Sequence, residues 1–253
     1  MKKKVNLTAI IPTFNEEIHI EEALESVSFA DEIIVIDSYS TDKTVELVKK
    51  HKVRLLQRKF DDFSSQKNFA IEKATHDWVF ILDADERIPK ALKEEILQTV
   101  NSHNEEVAYW IYRTTNYMGK DIKYSGLQND KVIRLLKKEY CRYDGLLVHE
   151  EIEAEGKVGF LENKIKHYSY KGIDNIIYKR NKFAQLQAQA LFNQGKKPSL
   201  FHFIIKPPFR FIKHFILQRG FLDGFQGFMI SSVYSYTVFM RYVKLWLLNH
   251  NLK

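Results

Sequence analysis

Over its first hundred residues the 253-residue chain alternates short apolar runs with amphipathic stretches. Leu7–Ile11, Glu32–Ile36, Val53–Leu56 and Trp78–Leu82 are branched or aromatic and bounded by polar residues, a pattern that predicts strands. Glu16–Ser28, Thr41–Lys50 and Ser64–Ala74 carry apolar positions at helical spacing, with Asn15, Ser40 and Ser64 as the expected N-caps. A further helix is predicted from Pro89 to about Val100, because proline in a first turn gives up an N–H that has no partner there. Strands alternating with helices predict the α/β class: a mostly parallel sheet flanked by helices.

The pattern changes after Val107. Ala108–Arg113, Lys131–Leu136 and Lys164–Tyr168 predict strands joined by long polar loops. From Asp174 onward three helices are expected, roughly Asp174–Gln194, Leu200–Arg219 and Leu222–Leu248, with Gln194–Pro198 as linker between the first two. The expected organisation is a catalytic domain over residues 1–170 and a helical C-terminal region over 171–253. No internal repeat or low-complexity segment interrupts this plan.

Composition narrows the class. An apolar fraction of 45% with 28% charged residues belongs to a folded protein. The single cysteine, Cys141, cannot form an intramolecular disulfide, so nothing calls for an oxidising compartment. The opening MKKK imitates a secretory signal, but the apolar stretch behind it is short and runs into Pro12, which predicts a first strand instead. No apolar run is long enough to predict a membrane span. Charge is divided unequally: residues 1–163 hold 24 Lys/Arg against 30 Asp/Glu, and residues 164–253 hold 15 against 2. Within the basic part, residues 200–221 interleave Phe and Ile with Lys, Arg and His. That mixture suits either an interfacial helix on anionic lipid or a Phe stripe packed on the catalytic domain. The expectation is a cytoplasmic protein, peripheral at the inner face of the cytoplasmic membrane. No nucleic-acid-binding module is present.

The sharpest chemical signal is VFILDADE, residues 79–86. Asp83 and Asp85 are two residues apart, so in an extended chain their carboxylates share one side. They follow a buried strand, at the carboxyl edge where parallel α/β sheets bind ligands. Two adjacent carboxylates need a counter-charge, which Mg²⁺ or Mn²⁺ shared with substrate phosphates supplies. The first two predicted strands also end in polar turns, IPTFNEE and DSYSTDKT, which open helices on the same edge.

Taken together, IPTFNEE, the Asp37 turn, the Gln66-Lys67-Asn68 triplet and DADE resemble the family 2 glycosyltransferases of the GT-A (Rossmann-like) fold over about residues 5–100. The resemblance implies that Thr13, Asn15, Glu17 and Asp37 lie near the base and ribose of a nucleotide-diphosphate sugar, expected to be a UDP-sugar. It places Asp83 and Asp85 at the metal and diphosphate, and Lys67 as a nucleotide contact, against the alternative that Lys67 faces solvent. An inverting transfer also needs a general base to deprotonate the acceptor hydroxyl. Arg134 and the stretch Tyr143–Glu150 are similar to the lipopolysaccharide-core glucosyltransferases of the family, which points to Glu150 as base, with Asp144 and Glu151 as alternatives. His167 is the better histidine for the metal shell, ahead of His149. Trp110, Arg113 and the Asn116–Lys120 loop are similar to that sub-family's acceptor side, although Trp110 suits the core equally. The implied activity is hexose transfer, with glucose the first candidate, to a lipopolysaccharide-core or other lipid-linked glycan. Alternatives are a polyprenyl-phosphate or peptide glycosyltransferase, and a non-catalytic sugar-nucleotide or lipid-binding module.

Overall fold

The computed structural model describes residues 6–145 and 151–252. The first half is the expected α/β alternation: β1 (Leu7–Thr13), α1 (Ile20–Ser26), β2 (Glu32–Asp37), α2 (Thr44–Val48), β3 (Arg54–Gln57), α3 (Phe63–Lys73) and β4 (Trp78–Ile81). There follow β5 (Glu86–Arg87), α4 (Lys90–Asn101), β6 (Glu106–Tyr117), β7 (Lys120–Asp121), β8 (Lys131–Lys137), β9 (Cys141–Tyr143), β10 (Ile152–Ala154), β11 (Lys157–Phe160) and β12 (Ile165–His167). The C-terminal helices are α5 (Ile173–Asn193), α6 (Leu200–Ile204), α7 (Lys206–Ile212) and α8 (Phe225–Asn249). A π turn (Lys213–Leu217) and a 3-10 turn (Gly220–Asp223) lie between the last two.

The strand order is β3-β2-β1-β4-β8-β6-β12-β5. β3, β2, β1 and β4 run parallel, whereas β8 enters antiparallel between β4 and β6. Alternating side chains explain why the central strands read as unbroken apolar runs. Leu7, Ala9, Ile11, Val35, Phe80 and Leu82 belong to the core packed against α1 and α4. Ile10, Ile34, Ile36, Val79 and Ile81 belong to a second core with Ala70 and Ile71 of α3. Both faces are covered, so the central positions are apolar apart from Thr8, whose buried hydroxyl donates to Glu32 at 2.7 Å. Each fully buried Ile, Leu or Phe contributes about 1.5–3 kcal/mol.

The chain divides into two compact units, Met1–Arg113 with Asp130–Tyr168, and Thr114–Asn129 with Ser169–Lys253. The second is not one continuous stretch as the sequence predicts, because the 114–129 excursion belongs to it. Buried Asp223 accepts hydrogen bonds from the backbone N–H of Lys123 and Tyr124, each at 3.0 Å, and from Ser125 Oγ at 3.1 Å. α8 packs against α5 through Ala188, Val238, Tyr242 and Leu245.

Several local expectations differ. Leu200–Arg219 is not one helix: α6 ends at Ile204, and Pro207 and Pro208 occupy the first turn of α7. Proline lacks the N–H that would continue the preceding helix. The residues expected as caps, Asn15, Ser40 and Ser64, do not occupy the N-cap positions, which fall at His19, Lys43 and Asp62. α3 is capped by Asp62, which accepts from Ser65 N at 2.7 Å, and Asn15 and Ser40 bond across to each other's turns. Among the described residues no helix is long and apolar enough to cross a membrane.

Candidate active site

The carboxyl ends of β1 and β2 open into turns that are stitched together. Asn15 adopts a left-handed backbone (φ 54°), which asparagine tolerates, and accepts from Thr41 N at 2.8 Å. Its own N–H donates to Ser40 Oγ at 2.9 Å. Glu17 accepts from Lys43 N at 3.0 Å, and its N–H donates to Asp42 at 3.1 Å. Asp37 is fully buried and accepts from Ser40 N and Oγ and from Gln57 Nε2 at 3.0 Å, so its carboxylate organises the turn from inside. Thr13 pairs with Asp37 in the β1–β2 register, and its buried hydroxyl has no hydrogen-bond partner among the described residues.

The second cluster follows β4. Asp83 N–H donates to Glu86 Oε2 at 3.1 Å, and Glu86 N–H returns to the Asp83 carbonyl at 2.8 Å, closing the DADE turn. β5 then pairs antiparallel with β12, which brings His167 opposite Glu86. Tyr168 N–H donates to the Asp85 carbonyl at 2.8 Å, and His167 Nε2 lies 3.6 Å from Asp85 Oδ1. Burial pushes the His167 imidazole down, but Asp85 and Glu86 outweigh it and the pKa is raised.

Cations complete the cluster. Arg134 projects from β8, pairs with Asp83, and lies 2.8 Å from fully buried Glu86. Arg113, from β6, reaches the same Glu86 oxygen at 3.2 Å and forks onto Asp130 at 3.0 and 2.8 Å. Lys67 Nζ lies 4.0 Å from Asp83, so Lys67 is a buried site residue and does not face solvent. Burial opposes ionisation of Asp83, but Arg134, Lys67 and Arg113 hold its carboxyl well below the usual range. At Asp83, therefore, Arg134 and Lys67 supply counter-charge from within the protein.

The Gln66-Lys67-Asn68 triplet joins these parts. Successive helical residues point in three directions, and each is used. Gln66 donates to Ser38 at 2.6 Å, Lys67 meets Asp83, and Asn68 exchanges two hydrogen bonds with the Tyr143 backbone at 3.1 and 2.9 Å. Lys67, Asp83, Trp110, Arg134, Tyr143 and Glu151 line a cleft of about 430 Å³. Trp110 thus borders the cleft, with Lys131 4.6 Å from its ring. The expected base, Glu150, and His149 lie outside the described residues, whereas Asp144 and Glu151 flank them and bond to each other's backbone. Sequence reasoning missed Glu86, the hub of the cluster. Its signal is its place as the fourth residue of DADE.

Among the described residues no three His, Cys, Asp or Glu side chains group into a metal cage. Asp85 and His167 still fit Mg²⁺ or Mn²⁺, because such cations take one or two protein ligands and complete their shell with substrate phosphate and water.

The profile of glycosyl transferase family 2 matches residues 8–151, which spans both turns, the triplet and the acid cluster. The chain belongs to this family. Relatives extend over nearly its whole length. A glycosyltransferase of Rickettsia typhi is 32% identical over 97% of this chain and 87% of its own. A lipopolysaccharide core biosynthesis glycosyltransferase of Rhizobium meliloti is 31% identical over 93% and 91%. A Pyrobaculum calidifontis mannosyltransferase solved with GDP-Man and Mn²⁺ shares the fold of this family 2 glycosyltransferase, with a TM-score of 0.53 at 16% identity over 95% and 86% of the two chains.

Proposed function

We propose that this family 2 glycosyltransferase inverts the anomeric carbon of a hexose as it moves it from a nucleotide-diphosphate sugar to a lipopolysaccharide-core or other lipid-linked glycan. The observation that carries this is the acid cluster at the carboxyl edge of β4. There Asp83 sits between Arg134 and Lys67 at a cleft large enough for a sugar, and Asp85, two residues on, faces His167. The Rhizobium relative supports the acceptor class. A UDP-sugar remains the first donor to test.

Thr13 offers the nucleoside a buried hydroxyl with no internal partner among the described residues, and Asn15, Glu17 and Asp37 shape the turns around it. Lys67 and Arg134 present positive charge where the diphosphate departs. Asp85 and His167, with Asp83 beside them, would hold a Mg²⁺ or Mn²⁺ ion, which would supply further charge to the leaving group. Glu150, with Asp144 and Glu151 as alternatives, takes the acceptor proton as the new carbon–oxygen bond forms and the bond to the diphosphate breaks. The first unit serves donor binding and catalysis, and the second, with its 114–129 excursion, acceptor or membrane contact. Exposed Ile204, Phe209, Leu217 and Phe221 amid lysines and arginines support a peripheral contact with anionic lipid.

Screening nucleotide sugars for thermal stabilisation and metal-dependent turnover identifies the donor without knowledge of the acceptor. In the active pair found, Glu150→Gln should keep donor binding and lose transfer. An unimpaired rate would move the base to Asp144 or Glu151.

A further inference from the structure

The C-terminal unit gathers cations without matching acids. Its carboxylate side chains are Asp121, Asp174 and Asp223, and Asp223 is already occupied by Lys123 N, Tyr124 N and Ser125 Oγ. Three basic groups surround the Tyr234 ring of α8. Arg180 of α5 lies 4.5 Å from its centroid, Arg210 of α7 lies 5.7 Å away, and His214 stacks on it at 4.3 Å with rings only 6° from parallel. Two turns further along α8, Arg241 lies 4.9 Å from the Tyr242 ring, whose hydroxyl accepts from Lys206 at 2.7 Å.

None of the three arginines pairs with a carboxylate among the described residues. The Nε groups of Arg210 and Arg241 are buried without a hydrogen-bond partner among them, and Arg241 reaches only the neutral Gln187 amide, at 3.3 Å. Like charge accumulates as well. Burial pushes His214 down, and Arg210, Lys213 and Arg180 add to it; burial and Arg210 push Arg241 down. Aromatic faces offset part of the cost of such a cluster, but they leave the Nε–H edge of the Arg210 and Arg241 guanidinium forks unsatisfied. Those forks match the oxygens of a phosphoryl group, whose negative charge reduces the mutual repulsion.

We propose that Arg180, Arg210 and Arg241, arrayed along α8, form a binding site for a phosphoryl group. The ligand is a phosphate mono- or diester, carried by the glycan acceptor or by a lipid headgroup. The site binds phosphate whether or not the first unit transfers sugar, so the two claims fail separately.

The test observes the arginine Nε–H signals of the full-length protein by NMR, with Arg210 and Arg241 assigned from the R210Q and R241Q variants. Inorganic pyrophosphate is added against chloride at equal ionic strength. Phosphatidylcholine vesicles with and without phosphatidylglycerol form the second arm. The expected result is movement of both signals, with affinity weakened about tenfold or more in the R180Q/R210Q double variant. Movement with pyrophosphate alone assigns the site to a phosphorylated glycan, and movement with phosphatidylglycerol alone assigns it to a headgroup. Unmoved signals in both arms, or unchanged affinity in the folded double variant, would overturn the proposal.

Discussion

The two units of this glycosyltransferase handle charge in opposite ways. In the first, Asp83, Glu86 and Asp130 meet Lys67, Arg134 and Arg113 in one network, where each ion has a partner of opposite sign. In the second, Arg180, Arg210 and Arg241 lie on tyrosine faces with no carboxylate beside them among the described residues. A matched network can be buried and kept rigid, because every charge is neutralised where it stands. An unmatched set carries repulsion and unpaired donors that only an outside anion relieves. The first unit is thus prepared to position a ligand, whereas the second is prepared to be completed by one.

The contrast is easiest to break at Glu86. Its carboxylate is fully buried and receives both Arg134 and Arg113, so Glu86→Ala takes a shared partner from two guanidinium groups and leaves them only Asp83 and Asp130. Removing one partner from such a network costs about 3–5 kcal/mol, read from denaturant unfolding. A cost below about 1 kcal/mol would mean that the network does not hold the site together, since that is the value of an exposed pair.

Glu32 gives a smaller, pH-dependent effect in the same unit. Burial raises its carboxyl pKa, but hydrogen bonds from Thr75 and Thr8 and the charge of Arg54 prevail and lower it. A carboxyl lowered on folding adds stability above its unfolded pKa, and that stability is lost as pH falls through the folded pKa. Glu32→Gln should therefore cost about 1 kcal/mol at neutral pH, with the gap to wild type closing in acid. A gap that stays constant with pH would rule out ionisation as its source.

The smallest effect belongs to the second unit. Arg210→Gln removes one cation–π contact and one source of repulsion, which oppose each other, so stability should move by no more than about 0.5 kcal/mol. A loss approaching that of Glu86→Ala would erase the distinction between the units.

The parallel half of the sheet was legible because two-sided burial writes unbroken apolar runs, as in β1, β2 and β4. The short strands β5, β7, β9, β10 and β11 were not, since two to four residues carry no readable period. The Pro207-Pro208 pair did mark the break between α6 and α7, but the surrounding Phe and Ile periodicity concealed it. At the site, Asp83, Asp85 and His167 were visible as residue types at strand ends. That Asp83 meets Arg134, 51 residues away, was not, because it follows from β8 entering antiparallel beside β4. Asn15 and Ser40 show the same limit: each looks like a cap locally, and only the fold brings their two turns together.

The central claim is that the acids after β4 grip the donor diphosphate through Asp85. Its most direct test is turnover of the stabilising nucleotide sugar by wild type and Asp85→Ala, each with Mn²⁺ or with chelator, and with folding followed by circular dichroism. The account predicts wild-type turnover with metal, none in chelator, and none in a folded Asp85→Ala protein. Full wild-type activity in chelator, or an undiminished rate in Asp85→Ala, would contradict it.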